Sequence, residues 1–196
     1  MQDSTRSSLL LGAAVGSAAT LLLAWLVRRA ERASKTGGAL TAETLRDTLG
    51  LDPHPEGGYY RRTYASELRV QTSYGERCAS TAIHFVVTRE CVSRLHRLEA
   101  DELWHFYGGG PLIVLEIDVR GQLTKTRLSP ARPQHAVPAG NWFGSYPDEG
   151  TAVSWVGCTV APGFEFEDFE LGSCAALVAQ FPQHAADIRR LTIGLP

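Results

Sequence analysis

From residue 52 onward the chain is a succession of short strand-type runs. YYRRTYAS, TAIHFVV, SRLHRL, ELWHFYG, PLIVLEID, QLTKTRLS, HAVPAG, AVSWVGCTV and FEFEDFELG follow one another, and glycine or proline punctuates most of the gaps. Many short strands without helices between them imply an antiparallel sandwich or barrel. Two segments are helical in period. One runs from Leu45 to about Gly50; the other is CAALVAQFPQHAADIRRLT, broken near Pro182. The expectation is an all-β fold spanning about 45–180, with a few short helices and the last one packed outside.

A chain of 196 residues suits one such domain with an extension. The formal net charge of −2, with Lys and Arg scattered, points away from a nucleic-acid partner. Cys78, Cys91, Cys158 and Cys174 form no C-x-x-C pair and stand at no zinc-finger spacing. They read as free thiols of a reducing compartment.

The first thirty-five residues are different. Residues 9–27, LLLGAAVGSAATLLLAWLV, carry no charge, and as a helix would extend about 28 Å, near the hydrocarbon thickness of a bilayer. A secretory signal would place its positive charge first and a small-residue cleavage site last. Here only Arg6 precedes, and the run ends in Trp-Leu-Val before Arg28, Arg29, Arg32 and Lys35. A transit peptide would be Arg-rich throughout. The reading is a single-pass membrane anchor, a hydrophobic helix with its basic flank over 1–35, then a linker over 36–42 and a folded domain over 43–196. The positive-inside rule puts that domain on the cytosolic side. An organelle-targeted chain, or a soluble cytoplasmic one with a buried or disordered N-terminal segment, is the alternative.

Residues 93–111, SRLHRLEADELWHFYGGGP, hold the densest chemistry. Strand alternation puts Glu102, Trp104 and Phe106 on one face and Leu103, His105 and Tyr107 on the other. His96 and Glu102 alone are too few ligands for a zinc site, which wants three or four. His84 or His105 could add a third only if the sheets allow it. The competing readings are a satisfied core histidine and a His/Glu pair tuned for proton transfer.

This stretch resembles the first motif of a cupin, which places two histidines two apart, then a glutamate, then a glycine, around a metal. His96 takes the first histidine position and Glu102 the glutamate, but Leu98 stands where the second histidine belongs. The second motif is normally Pro-x-Gly-x-x-His; VPAGNWF gives Pro138, Gly140 and then Phe143 in the histidine position. The match is closer to one subgroup. HPEGGYYRRTY, STAIHFVV, SRLHRLEADELWHFYGG, VPAGNWFGSY, VGCTVAPGFEFEDFELG and FPQHAADIRRLT resemble, in order, the Cupin-5 family, over about residues 43–193. The resemblance implies a jelly-roll β-barrel, usually a homodimer, with a pocket for a small-molecule ligand and no assured activity or cofactor. Any divalent metal would fall to His96 and Glu102.

If Glu102 points into the barrel, Trp104 lines the same cavity. Tyr60, Arg62 and Tyr64 alternate along one face of the first strand, and Arg62 could hold a carboxylate or phosphate. Asn141 and Trp142 follow the Pro-x-Gly turn. Tyr146 lies where metal-free cupins use a phenol as acid. By that analogy His96, Glu102 and Tyr146 are the candidate catalytic groups, with Tyr60, Arg62, Tyr64, Trp104, Asn141 and Trp142 as substrate-binding candidates. The carboxylates of FEFEDFELG read as a solvated strand face. The functional expectation is a metal-independent epimerase- or isomerase-type enzyme acting on a small polar, sugar-like metabolite. A non-catalytic binding module and a metal-dependent cupin enzyme are the alternatives.

Overall fold

The computed structural model describes residues 40–192. The hydrophobic run over 9–27, and the anchor expected there, lie outside the described residues. Among those described, no helix is long and apolar enough to cross a membrane.

Helix α1, Ala42–Leu49, opens on Thr41, whose side chain accepts a hydrogen bond from the Thr44 amide, and ends at Gly50 in the left-handed region. Its Leu45 is buried with Leu51, Val86 and Val153. Thirteen strands follow, all paired antiparallel. One sheet takes β1 (Asp52–Pro53), β2 (Tyr59–Ala65), β5 (Thr81–Thr88), β12 (Val153–Ala161), β7 (Asp101–Gly109) and β10 (Gln134–Val137), in that spatial order. The second takes β13 (Phe169–Leu171), β6 (Ser93–Leu98), β11 (Trp142–Pro147), β8 (Leu112–Ile117) and β9 (Leu123–Leu128). A separate hairpin joins β3 (Arg69–Thr72) to β4 (Gly75–Cys78). Its Arg77 grips Asp168 with Nε at 2.6 Å and Nη2 at 2.7 Å.

The expected barrel is corrected here to two facing sheets, because no ladder joins one sheet to the other among the described residues. Closure needs paired backbone at both seams. The edge strands β1, β10 and β13 have only two, four and three residues, too few to supply it.

Alternation decides which residues meet between the sheets. Phe85, Trp104, Leu112, Val114, Phe143 and Val156 form the inter-sheet core. The second sheet is also covered on its outer face. There Leu95, Leu115, Ile117, Trp142 and Tyr146 meet the C-terminal helices, α2 (Cys174–Gln180) and α3 (Ala185–Arg190), through Leu177, Phe181, Ile188 and Leu191. Every residue of β11 is therefore buried, as for a strand packed on both faces. Pro182 does interrupt the terminal helix: a single 3-10 turn, Pro182–His184, separates α2 from α3.

Candidate functional site

The loop His54–Gly58 decides where the chemistry sits. Gly57 and Gly58 have φ of 105° and 71°, conformations that suit glycine. A Cβ at Gly57 would run into the Val92 carbonyl oxygen, and one at Gly58 would lie 2.7 Å from the Phe85 ring. The loop can thus lie flat on its neighbours. The Arg94 amide and Nε donate to the Glu56 carbonyl at 2.9 and 3.0 Å. The Arg94 guanidinium also donates to the Pro55 carbonyl, and the Gly58 amide donates to Cys91 Sγ at 3.0 Å. So pinned, the loop turns Glu56 inward, leaving it 6% exposed.

Glu56 is the hub of the site. Ser93 Oγ donates to its Oε1 at 2.9 Å. Its Oε2 lies 3.3 Å from His54 Nδ1 and 3.4 Å from His96 Nε2. Burial works to raise the Glu56 pKa, but His96, His54 and the Ser93 hydroxyl outweigh it and hold the carboxyl below its ordinary range. His54 Nδ1 also lies 3.3 Å from the Glu56 amide, from which it can accept.

His96 stands on β6, wholly enclosed. Its Nδ1 lies 2.7 Å from the Arg94 carbonyl, which can only accept, so Nδ1 carries hydrogen. In the neutral ring Nε2 is then the lone-pair nitrogen, and it faces Glu56. Burial pushes the His96 pKa down, the Glu56 charge opposing, so the ring is neutral at pH 7. The rings of Phe143 and Phe169, with centroids at 4.1 and 5.3 Å, supply the desolvation.

The sequence leaves two readings open for His96 and Glu102, on β7; the structure shows no contact between them, and the carboxylate beside His96 is Glu56. Glu102 is 7% exposed and lines the cavity beside the Cys158 thiol of β12. Burial, with the nearby Glu56 charge, lifts its pKa to about 8. It is a neutral acid at pH 7. Burial and the same carboxylates keep the Cys158 thiol protonated.

These groups meet in a cavity of about 40 Å³ between the sheets, walled by Ile83, Phe85, Val160 and Phe164. Of the expected residues, Tyr60, Arg62, His96 and Glu102 line it. His54, Glu56, Thr81 and Cys158 line it unexpectedly.

The other candidates lie elsewhere, each for a physical reason. A register shift between Arg62 and Tyr64 turns Tyr64 outward, where it is 54% exposed. Trp104 is on the inner face but deep in the core against Phe85 and Phe143. Trp142 and Tyr146 lie on the opposite face of β11 from Phe143, under the Arg97 and Arg190 guanidiniums at 4.7 and 3.6 Å. Tyr146 is therefore not the acid of this cavity. Asn141 donates to Glu116 Oε1 at 3.0 Å, where His135 also bonds. His105 bonds Thr159 and Gln134, and His84 packs on Tyr107 and Trp155, so both serve the outer face of the first sheet. The acidic strand is in part a 3-10 turn, Phe166–Asp168, and Phe166 stacks on His54 with centroids 5.7 Å apart.

The four-ligand cupin cage does not fit this donor set. Leu98 and Phe143, at two ligand positions, are buried in the inter-sheet core. Among the described residues no three His, Cys, Asp or Glu side chains stand together as metal ligands.

Two facing antiparallel sheets enclosing a small polar cavity define a cupin-type protein. The chain belongs to the Cupin_5 family, described as Cupin superfamily (DUF985), whose pattern matches residues 43–172. Two solved structures are similar to it. A hypothetical protein from Leishmania major is 35% identical, with a TM-score of 0.73, covering 78% of this chain and 99% of that one. A structural-genomics protein from Shewanella oneidensis is 41% identical, with a TM-score of 0.72, covering 78% and 98%. No match was found among curated proteins.

Proposed function

We propose that the cavity is a proton-transfer site for a small polar metabolite, and that the chain is a metal-independent enzyme of isomerase or epimerase type. One observation carries this reading. A neutral imidazole, its hydrogen on Nδ1, lines the same small cavity as a carboxylic acid that burial keeps protonated at pH 7. His96 Nε2 takes a proton from a carbon next to a carbonyl. The electron pair of that C–H bond moves towards the carbonyl oxygen, which receives the Glu102 hydrogen. The Glu56 carboxylate stabilises the imidazolium that forms. Return of the proton to carbon, and of its hydrogen to Glu102, completes the exchange with no net oxidation.

The test is incorporation of deuterium from D2O into small aldehydes, ketones and oxo acids, followed by NMR with the full chain. His96→Asn and Glu102→Gln should stay folded and lose the exchange. Ligand binding without exchange in the native protein would instead favour a carrier or sensor, which the mixed polar and apolar lining also suits. We also propose that two copies pair through the outer face of the first sheet, where Tyr107 is 48% exposed beside Trp155 and His84. Sedimentation as a monomer at micromolar concentration would remove that proposal.

A further inference from the structure

The charges around the cavity do not balance, and the imbalance has a direction. Glu56 carries a negative charge, but two histidines and a serine hydroxyl surround it. Glu102 is uncharged at neutral pH because it is buried. Arg62 is different. It lines the cavity yet is exposed, so it stands at the mouth. Its Nη2 donates to the Phe164 carbonyl at 3.2 Å, and among the described residues it has no ion pair. A guanidinium has five donors in a planar fork that matches a carboxylate. The mouth therefore offers a cation whose fork is largely free, while the one carboxylate charge inside, on Glu56, is already met by its own partners.

Size adds a second constraint. A cavity of about 40 Å³ takes only a short ligand body. Ile83, Phe85, Val160 and Phe164 make the walls apolar. Among the polar groups that line it, the Glu102 carboxyl can donate and His96 Nε2 can accept, beside His54, Glu56, Tyr60, Thr81 and Cys158. The fitting ligand has an anionic head outside, a short body, and one oxygen inside able to accept a hydrogen bond.

We propose that the substrate is a short oxo acid, its carboxylate held by Arg62 at the mouth and its keto oxygen and adjacent C–H carbon placed between Glu102 and His96. The inference rests on the proton-transfer reading for which end of the ligand reacts. Arg62 is then a binding residue that reads the carboxylate, and Phe164 follows the ligand, since the Arg62 contact to its carbonyl must yield when the guanidinium turns to an anion.

The test uses the full chain and two probes. Pyruvate is the smallest oxo acid with an exchangeable C–H beside its carbonyl; pyruvamide is its uncharged isostere. Both are titrated calorimetrically, and loss of the pyruvate methyl proton signal in D2O is followed by NMR against the protein-free rate. A charge-assisted bond of this kind predicts that pyruvate binds about ten- to a hundredfold more tightly than pyruvamide. R62Q should erase that preference, weakening pyruvate far more than pyruvamide, and should keep the native melting temperature because the side chain is exposed. R62K should recover part of it, having the charge without the fork. Equal affinities for the two probes, no detectable pyruvate binding, or a preference that survives R62Q would each overturn the inference. Arg62-dependent pyruvate binding without methyl exchange would leave it standing and remove the proton-transfer reading. Exchange in a neutral ketone with no preference for the carboxylate would do the reverse.

Discussion

Replacing Glu102 by glutamine isolates the titration on which the proposed chemistry depends. In the fold the Glu102 pKa is raised from 4.5 to about 8, so the native protein holds this proton where the unfolded chain has lost it. Stability from this group is fully present below pH 4.5 and falls as pH rises towards 8. The slope is about 1.4 kcal/mol per pH unit, and the whole loss is at most about 5 kcal/mol. Glutamine cannot ionise and keeps nearly the same shape. The stability of the native protein minus that of E102Q should therefore decline steadily between pH 5 and 8 and level off above. Taking the difference cancels most of the opposing contribution of His96, whose lowered pKa makes the fold gain stability as pH rises towards 6.5. Urea unfolding at pH 5, 6, 7, 8 and 9, followed by tryptophan fluorescence, measures both curves. Parallel curves across that range would mean that Glu102 is ionised throughout, and the acid in the proposed mechanism would be gone.

Three further outcomes follow from packing and from the hub carboxylate. Leu177→Ala should cost about 2–5 kcal/mol in urea unfolding, because Leu177 is buried where α2 meets the second sheet. Gly58→Ala should destabilise by about 1–3 kcal/mol, since its φ is +71° and a methyl would press on the Phe85 ring and, at 2.9 Å, the Val86 carbonyl. Glu56→Gln removes the charge facing His96 Nε2. NMR titration of His96 should then show its pKa falling further, because the Glu56 charge is what raises it.

The strand succession carried most of the fold. Short runs and glycine or proline gaps named the antiparallel sheets, and the Leu45 and Pro182 signals marked the helices. What the runs could not show was closure, which depends on whether edge strands are long enough to pair across a seam. In the site, period-2 alternation put Glu102 and Trp104 on one face, and the cupin resemblance turned that face inward. The same rule would have moved Trp142 and Tyr146 outward, since Phe143 occupies an inward ligand position and both differ from it by an odd number. Tyr64 escaped the rule because a bulge after Arg62 breaks the parity, and nothing in RRTY announces a bulge. Glu56 was missed for another reason. Two glycines after a glutamate indicate no more than a turn, and only the contacts of Arg94 with Glu56 and of Cys91 with Gly58, 38 and 33 residues apart along the chain, show that the turn presses a carboxylate inward.

Phe143 beside His96 also governs what this site can become. A four-ligand cage would need histidines in place of both Leu98 and Phe143. Either one alone would sit in the inter-sheet core as a buried polar ring without a ligand to hold, at a cost of about 1–3 kcal/mol, and loss of the Phe143 ring would also uncover His96, whose ring centroid lies 4.1 Å from it. A single substitution in that direction therefore loses stability before it can gain a ligand.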